Sequence, residues 1–149
     1  MPPERSSRPR RSVLFMPAAN VRAMEKAKAL PADAVVLDLE DAVAPDMKDR
    51  ARANAIAAVG SGGYGRREVI VRVNALSTAW GRADLAAVAT SGADAVLLPK
   101  VESAETVRNA IEGLEAHDAP PALGLWCMLE TPLGILDAAA IATAGPRVT

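Results

Sequence analysis

Apolar residues fall along this chain in short continuous runs, and between the runs they fall at helical spacing. Ser12-Val-Leu-Phe-Met16, closed by Pro17, predicts a first strand. Asn20 is placed to cap a helix reaching about Leu30, with Val21, Met24, Ala27 and Lys28 at intervals of three and four. The run from Ala34 to Asp41 is apolar almost throughout its first half, the mark of a strand covered on both faces. Asp46 is placed to cap a helix through about Val59, and a glycine-rich loop follows it. Glu68 to Asn74 predicts the third strand, and Ser77 or Thr78 starts a helix to about Thr90. Ala93 to Pro99 predicts the fourth strand, with Ser103 capping a helix to about His117. Leu123 to Glu130 predicts the fifth, followed by a helix from Pro132 to about Ala144.

Strict alternation of strand and helix implies a parallel sheet, since each crossover is right-handed and covered by a helix. A doubly wound open sheet and a (β/α)8 barrel both satisfy it. Side-chain parity separates them, because residues two apart on a strand share a face. Asp38 and Glu40 share a face with Val36, Arg72 with Ile70 and Asn74, and Glu130 with Met128 and Trp126. The opposite faces (Val69, Val71, Val73; Leu123, Leu125, Cys127, Leu129) are purely apolar and suit packing under helices. Polar groups gathered on one face near strand C-termini fit a barrel interior. The pattern therefore favours the barrel.

The run ending at Glu130 carries the sharpest chemical signal. Thr131 is a natural N-cap and Pro132 suits the first helical position. Glu130 is thus predicted at the end of a buried strand, beside the positive end of a helix, where parallel α/β proteins place chemistry. It is a candidate metal ligand, although complementing the helix dipole would also account for it. Gly60-Ser-Gly62-Gly-Tyr-Gly65 matches the dinucleotide fingerprint literally. That motif needs a strand before it and a helix after it, and here the order is reversed.

Composition narrows the partners. The formal net charge of −1 gives no global pull toward nucleic acid or anionic membrane. Two Trp, one Tyr and one Phe are too few for a stacking platform on single strands. No apolar run approaches the ~18 residues of a membrane span. A single cysteine, Cys127, allows no disulfide framework and fits a reducing, cytoplasmic setting. Residues 1–10 read as a disordered basic tail without the apolar segment of a signal peptide.

Asp38, Glu40, Asp41, Arg72, Asn74, Lys100, Glu102 and Glu130 are predicted together at the C-terminal face. Carboxylates with few His or Cys nearby suit a hard cation such as Mg²⁺. Arg72 offers a planar fork to a substrate oxygen. A cation and an arginine facing one oxygen are what a developing enolate needs. A purely structural mouth, with Asp38 or Glu40 paired to Arg72 or Lys100, fits the same residues.

Several segments stand in the order of a known family. Arg11-Ser-Val-Leu-Phe-Met-Pro17, Leu37-Asp-Leu-Glu-Asp-Ala-Val43, Val71-Arg-Val-Asn74, Leu98-Pro-Lys-Val-Glu102 and Leu129-Glu-Thr-Pro-Leu-Gly134 are joined by Lys26-Ala27, Ala32-Asp33 and Lys48 with Ala51-Arg52. Together they resemble the HpcH/HpaI aldolase/citrate lyase family, in the branch of the citrate lyase β subunit and malyl-CoA lyase. The resemblance covers residues 11–144. It implies a (β/α)8 TIM barrel of the phosphoenolpyruvate/pyruvate type, present here as about the first five units. It also implies an Mg²⁺-dependent carbon–carbon lyase cleaving or condensing a short hydroxy-acyl-CoA or a citrate- or malate-type acid. By position, Arg72 resembles the catalytic arginine that grips substrate, and Glu130 the first metal ligand, itself also in contact with substrate. Phe15 and Lys26 fall near positions that contact CoA, while Asp38, Glu40 and Asp41 resemble groups holding metal-bound water and Arg72. Lys100 and Glu102 are expected to position neighbouring loops.

The family carries a second metal carboxylate, an aspartate after the next strand, which does not occur before Thr149. The expectation is therefore that residues 11–149 are the N-terminal portion of a longer barrel domain, which as a whole would form a homo-oligomer of three or six copies. The alternatives are a thioester hydrolase, a hydroxy-acid aldolase without CoA, and a non-catalytic binding fragment.

Overall fold

The structure, a computed structural model, describes residues 10–149. The expected disordered tail lies outside the described residues except for Arg10, whose guanidinium binds Glu68 in a bidentate pair at 2.7 and 2.8 Å.

Strands β1 (Val13–Pro17), β2 (Ala34–Asp38), β3 (Glu68–Arg72), β4 (Ala95–Leu98) and β5 (Gly124–Cys127) form one parallel sheet in the order β1-β2-β3-β4-β5. Each strand lies beside its predecessor, with no reversal of order. A doubly wound sheet needs such a reversal to place helices on both faces. Here one large core joins the outward residues Val35, Leu37, Val71, Val96, Leu98 and Leu125 to helix residues such as Met24, Ala55, Leu85, Val107 and Leu114. The other face holds a small cluster from strands alone, Ala34, Val36, Ile70, Ala95 and Leu97, with Trp126 and Met128 against it. All helices therefore cover one side, and the sheet is an arc of a (β/α)8 barrel.

Helix α1 (Val21–Ala27) begins as expected, with the Asn20 side chain accepting from the Ala23 N–H at 3.0 Å, but ends one turn early. Asp46 does not cap α2 (Lys48–Ser61). A 3₁₀ turn over Pro45–Met47 leads into the helix, and Met47 precedes it without a side-chain cap. Alanines 51, 55 and 58 are buried along α2, and their small size lets it approach the sheet closely. Helix α3 (Gly81–Ala89) starts three residues beyond Thr78, whose hydroxyl accepts the Gly81 N–H at 3.2 Å and closes the preceding turn. A Cβ at Gly81 would meet the Ala75 carbonyl oxygen at 2.2 Å, so this entry needs glycine.

Helix α4 (Ala104–Glu115) is capped by Ser103 and buries Val107, Ala110, Ile111 and Leu114, the i, i+3, i+4, i+7 stripe of an amphipathic helix. The last predicted helix is two short ones, α5 (Pro132–Leu136) and α6 (Ala138–Ala142), because Asp137 turns out of helical geometry at φ −96°, ψ 12°. Beyond them Val148 bridges to Leu125 in parallel, and Arg147, buried, donates to the carbonyls of Ala119, Pro120 and Leu123. The Gly60–Gly65 segment runs from the end of α2 toward β3, the reverse of a dinucleotide loop. Among the described residues, no helix is long and apolar enough to cross a membrane.

Candidate active site

The strands are shorter than the apolar runs imply. β2 ends at Asp38 and β3 at Arg72, so those two residues are register partners at the strand ends. Both point to the inner face, as their parity with Val36 and Ile70 requires. Arg72 donates from Nε to Asp38 Oδ1 at 2.7 Å and from Nη2 to Asp38 Oδ2 at 2.6 Å. This buried fork-to-fork pair carries extra support. The Asp38 carboxylate also accepts the N–H groups of Glu40 at 2.8 Å and Ala42 at 3.2 Å, and so holds the loop after β2. Burial works to raise the Asp38 pKa, but the Arg72 guanidinium and the two backbone donors outweigh it and hold it below the usual carboxylate range. The hydrogen bonds to Asp38 correspondingly raise the pKa of Arg72.

The Phe15 ring lies 5.2 Å from Arg72 Cζ, a cation–π platform beneath the guanidinium. Arg72 Nη1 has only a weak acceptor, Met128 Sδ at 3.7 Å. Glu40 Oε2 lies 3.1 Å from Nη1, yet it is a buried oxygen without a hydrogen-bond partner, since the angle is poor. The other Glu40 oxygen accepts from Lys100 Nζ, which also approaches Asp41 Oδ1 at 3.3 Å. Asp38 and Glu40 thus surround Arg72, whereas Asp41 is exposed and reaches Lys100 instead.

Glu130 sits three residues past the end of β5, not at its last position. A hydrogen bond places it: Lys100 N–H donates to Glu130 Oε1 at 2.9 Å. Lys100 adopts φ +48°, a left-handed conformation that costs an ordinary residue about 1–2 kcal/mol. Glu130 is exposed, and Thr131 caps α5 by accepting from Gly134 N–H at 3.2 Å. A Cβ at Gly134 would strike the Val101 carbonyl at 2.3 Å, which keeps the two loops in close contact.

Other expected members stand apart. Asn74 does not face the mouth. It donates to Leu39 O and to the buried Asp84 of α3, an outward network completed by Arg52. Lys26 is exposed on α1 and has no hydrogen bond or ion pair with this cluster among the described residues. Glu102 lines a cavity of about 500 Å³ over α3 and α4, which it shares with Lys100 but with no other residue of the cluster. Residue patterns alone did not single out Met128 or Lys48 as parts of the site. Lys48 is buried at the start of α2, where its ammonium binds the carbonyls of Leu39 and Glu40, and desolvation lowers its pKa. A buried lysine opening a helix directly after an acidic loop was the available signal.

No group of three or more His, Cys, Asp or Glu side chains able to hold a metal occurs among the described residues. The donor set nevertheless fits Mg²⁺, which keeps several waters and takes one or two protein carboxylates. Glu130 is such a carboxylate, exposed and fixed through one oxygen only.

The strand order makes the sheet an arc of a (β/α)8 barrel, with this polar mouth at the C-terminal ends of its strands. The chain belongs to the HpcH/HpaI aldolase/citrate lyase family, whose pattern matches residues 11–149. It is 50% identical over 141 residues to a (3S)-malyl-CoA thioesterase of Cereibacter sphaeroides, covering 95% of this chain and 47% of that protein. It is 43% identical over 150 residues to the citrate lyase subunit beta of Escherichia coli, covering 97% and 50%. The structure superposes with a TM-score of 0.69 on protein CitE from Mycobacterium tuberculosis in complex with magnesium, acetoacetate and coenzyme A. Identity there is 34%, with 94% of this chain and 48% of that one covered. The chain spans about half the length of the curated relatives it matches.

Proposed function

We propose that this chain supplies the Arg72–Glu130 half of an Mg²⁺-dependent site that acts on a short hydroxy-acyl-CoA, or on a citrate- or malate-type acid, by carbon–carbon cleavage or condensation. One observation carries the reading: Arg72 is locked by Asp38 along one edge while its Nη1, though close to Glu40, makes no hydrogen bond stronger than that to Met128 Sδ, at the same mouth as the exposed Glu130. Asp38 and Phe15 orient the guanidinium, so its remaining N–H groups meet a substrate oxygen without reorganisation. In cleavage the substrate hydroxyl loses its proton to water as its C–O bond becomes the carbonyl of the oxo acid. The electron pair of the breaking C–C bond moves toward the acyl carbonyl oxygen, where Arg72 donates to the developing charge, and the enolate then takes a proton from water. Mg²⁺ held by Glu130 would supply further positive charge at that oxygen. Phe15, 42% exposed, offers its free face to the acyl-CoA chain.

Thioester hydrolysis is the second reading, favoured by the 50% identity to a (3S)-malyl-CoA thioesterase. The products separate the two. A lyase gives an acyl-CoA and an oxo acid from malyl-CoA, and a hydrolase gives the free acid and CoA. The first measurement is Mg²⁺ titration by calorimetry, with and without oxaloacetate. Binding of Mg²⁺ that oxaloacetate strengthens supports the half-site, and a folded chain binding neither removes it.

A further inference from the structure

The left-handed backbone at Lys100 joins two groups that the sequence keeps far apart. Its N–H faces Glu130 Oε1 at 2.9 Å, while its side chain returns across the sheet to Glu40 and Asp41. Glu40 lies between two cations, Lys100 at Oε1 and Arg72 at Oε2. Only the first contact is a hydrogen bond, and Oε2 is left buried without one although Nη1 is 3.1 Å away. A carboxylate free to turn would take Nη1 in a well-aligned bond, because a buried acceptor without a partner is costly. Something therefore holds it off that angle, and the ammonium of Lys100 is the group attached to its other oxygen.

We infer that Lys100 is a positioning residue for Arg72: by holding Glu40 through Oε1, it keeps the other carboxylate oxygen, which is in ion-pair contact with Arg72 Nη1, off the line of the Nη1 N–H bonds, and so leaves an N–H of Nη1 for a substrate oxygen. The inference rests on the Arg72 reading given above. Lys100 touches no reacting atom itself. Its backbone N–H serves Glu130 and would persist with any side chain, so the two duties of the residue are separable by substitution.

The test is Lys100→Asn, since asparagine tolerates a left-handed backbone and removes the ammonium. Oxaloacetate binding in the presence of Mg²⁺, read by calorimetry, is expected to weaken about 10-fold, as Glu40 turns onto Nη1. Mg²⁺ binding alone should stay within about twofold of the parent, because the Glu130 contact comes from the backbone. Some fall in melting temperature is expected because the buried Glu40 loses its ammonium partner. Since both titrations are made on folded protein, the unchanged Mg²⁺ affinity is what separates positioning from general damage. The double variant Lys100→Asn with Glu40→Gln removes the competing carboxylate and should restore oxaloacetate binding. Should the double variant fail to fold, Lys100→Arg takes its place, and retention of binding by that cation is the expected result. Parent-like binding by Lys100→Asn overturns the inference, as does a folded double variant as weak as the single one, or loss of binding in Lys100→Arg. A parent that fails to bind oxaloacetate with Mg²⁺ defeats the Arg72 reading itself and takes this inference with it.

Discussion

The two ends of the sheet use the same residue types to different effect. At the N-terminal end, Arg10 meets Glu68 across a bidentate pair and rests 4.8 Å over the Trp126 ring. Nearby, Arg11 and Ser12 surround Asp33, whose carboxylate accepts from both backbone N–H groups and both side chains. Charge there is matched one to one and used up. At the C-terminal end, Arg72 Nη1 and Glu40 Oε2 stand 3.1 Å apart as an ion pair but without a hydrogen bond between them, and Glu130 is held by one oxygen only. An ion pair by itself is no sign of function. Unspent hydrogen-bonding capacity, held rigidly by spent capacity beside it, is the better sign.

Substitutions that cross this divide give the widest separation. Arg72→Lys is expected to cost about 100-fold or more in substrate binding or turnover, because an ammonium cannot reproduce the fork that spans Asp38 and a substrate oxygen. It also leaves the Asp38 carboxylate underpaired where it is buried, with a stability loss approaching the ~3–5 kcal/mol of a broken buried pair, measurable by urea unfolding. Near-normal binding in this variant would make the mouth as purely structural as the other end.

Glu130→Gln comes next and acts on function alone. Mg²⁺ binding should be lost, while stability changes by less than about 0.5 kcal/mol, as for an exposed surface position. Persistent Mg²⁺ binding would move the metal elsewhere.

Glu68→Gln is the mirror experiment. It should cost about 1 kcal/mol of stability through the Arg10 pair and leave Mg²⁺ and oxaloacetate binding unchanged. A binding defect from that end would erase the contrast.

The smallest effect is set by acid. Hydrogen bonds from Arg11 lead the causes that depress Asp33 to about 2, below an unfolded value of about 3.9. A depressed carboxylate contributes stability above its unfolded value and loses it as the pH falls through the folded one. Melting temperatures should thus decline between about pH 4 and 2, and Asp33→Asn should flatten part of that decline. Asp38 is depressed in the same direction and adds to the decline. Its share should survive the Asp33 substitution, which leaves oxaloacetate binding at neutral pH untouched.

Much of the C-terminal mouth was legible in the sequence, whereas the opposite end was not, since Arg10 read as part of a disordered tail. Strand parity put Asp38 and Arg72 on one inner face because the period of two holds as far as the strands run, and Glu40, two residues past β2, is held beside them by its N–H to Asp38. It failed for Asn74 and Glu130 because the strands stop earlier: Asn74 turns outward to Asp84, and Glu130 is set by a hydrogen bond from a loop thirty positions away. Ser103, Asn20 and Thr131 were readable as caps since each acts on a backbone donor three residues on. Asp46 has the same chemistry, but Pro45 begins a 3₁₀ turn that displaces the helix start beyond its reach. The left-handed backbone of Lys100 left no trace in composition, as lysine is not a residue chosen for it. Resemblance to the family supplied the roles of Arg72 and Glu130, which residue patterns alone left open.

The strand order has a consequence for how the chain reaches this state. Every strand pairs with the one synthesised just before it, so each new βα unit finds its docking edge already made. Loop closure at each step spans only one helix and its turns, which keeps the entropic barrier to pairing low. The arc can grow by accretion as the polypeptide emerges, β1 to β5 in turn, with the Leu125–Val148 bridge the latest rung of that ladder.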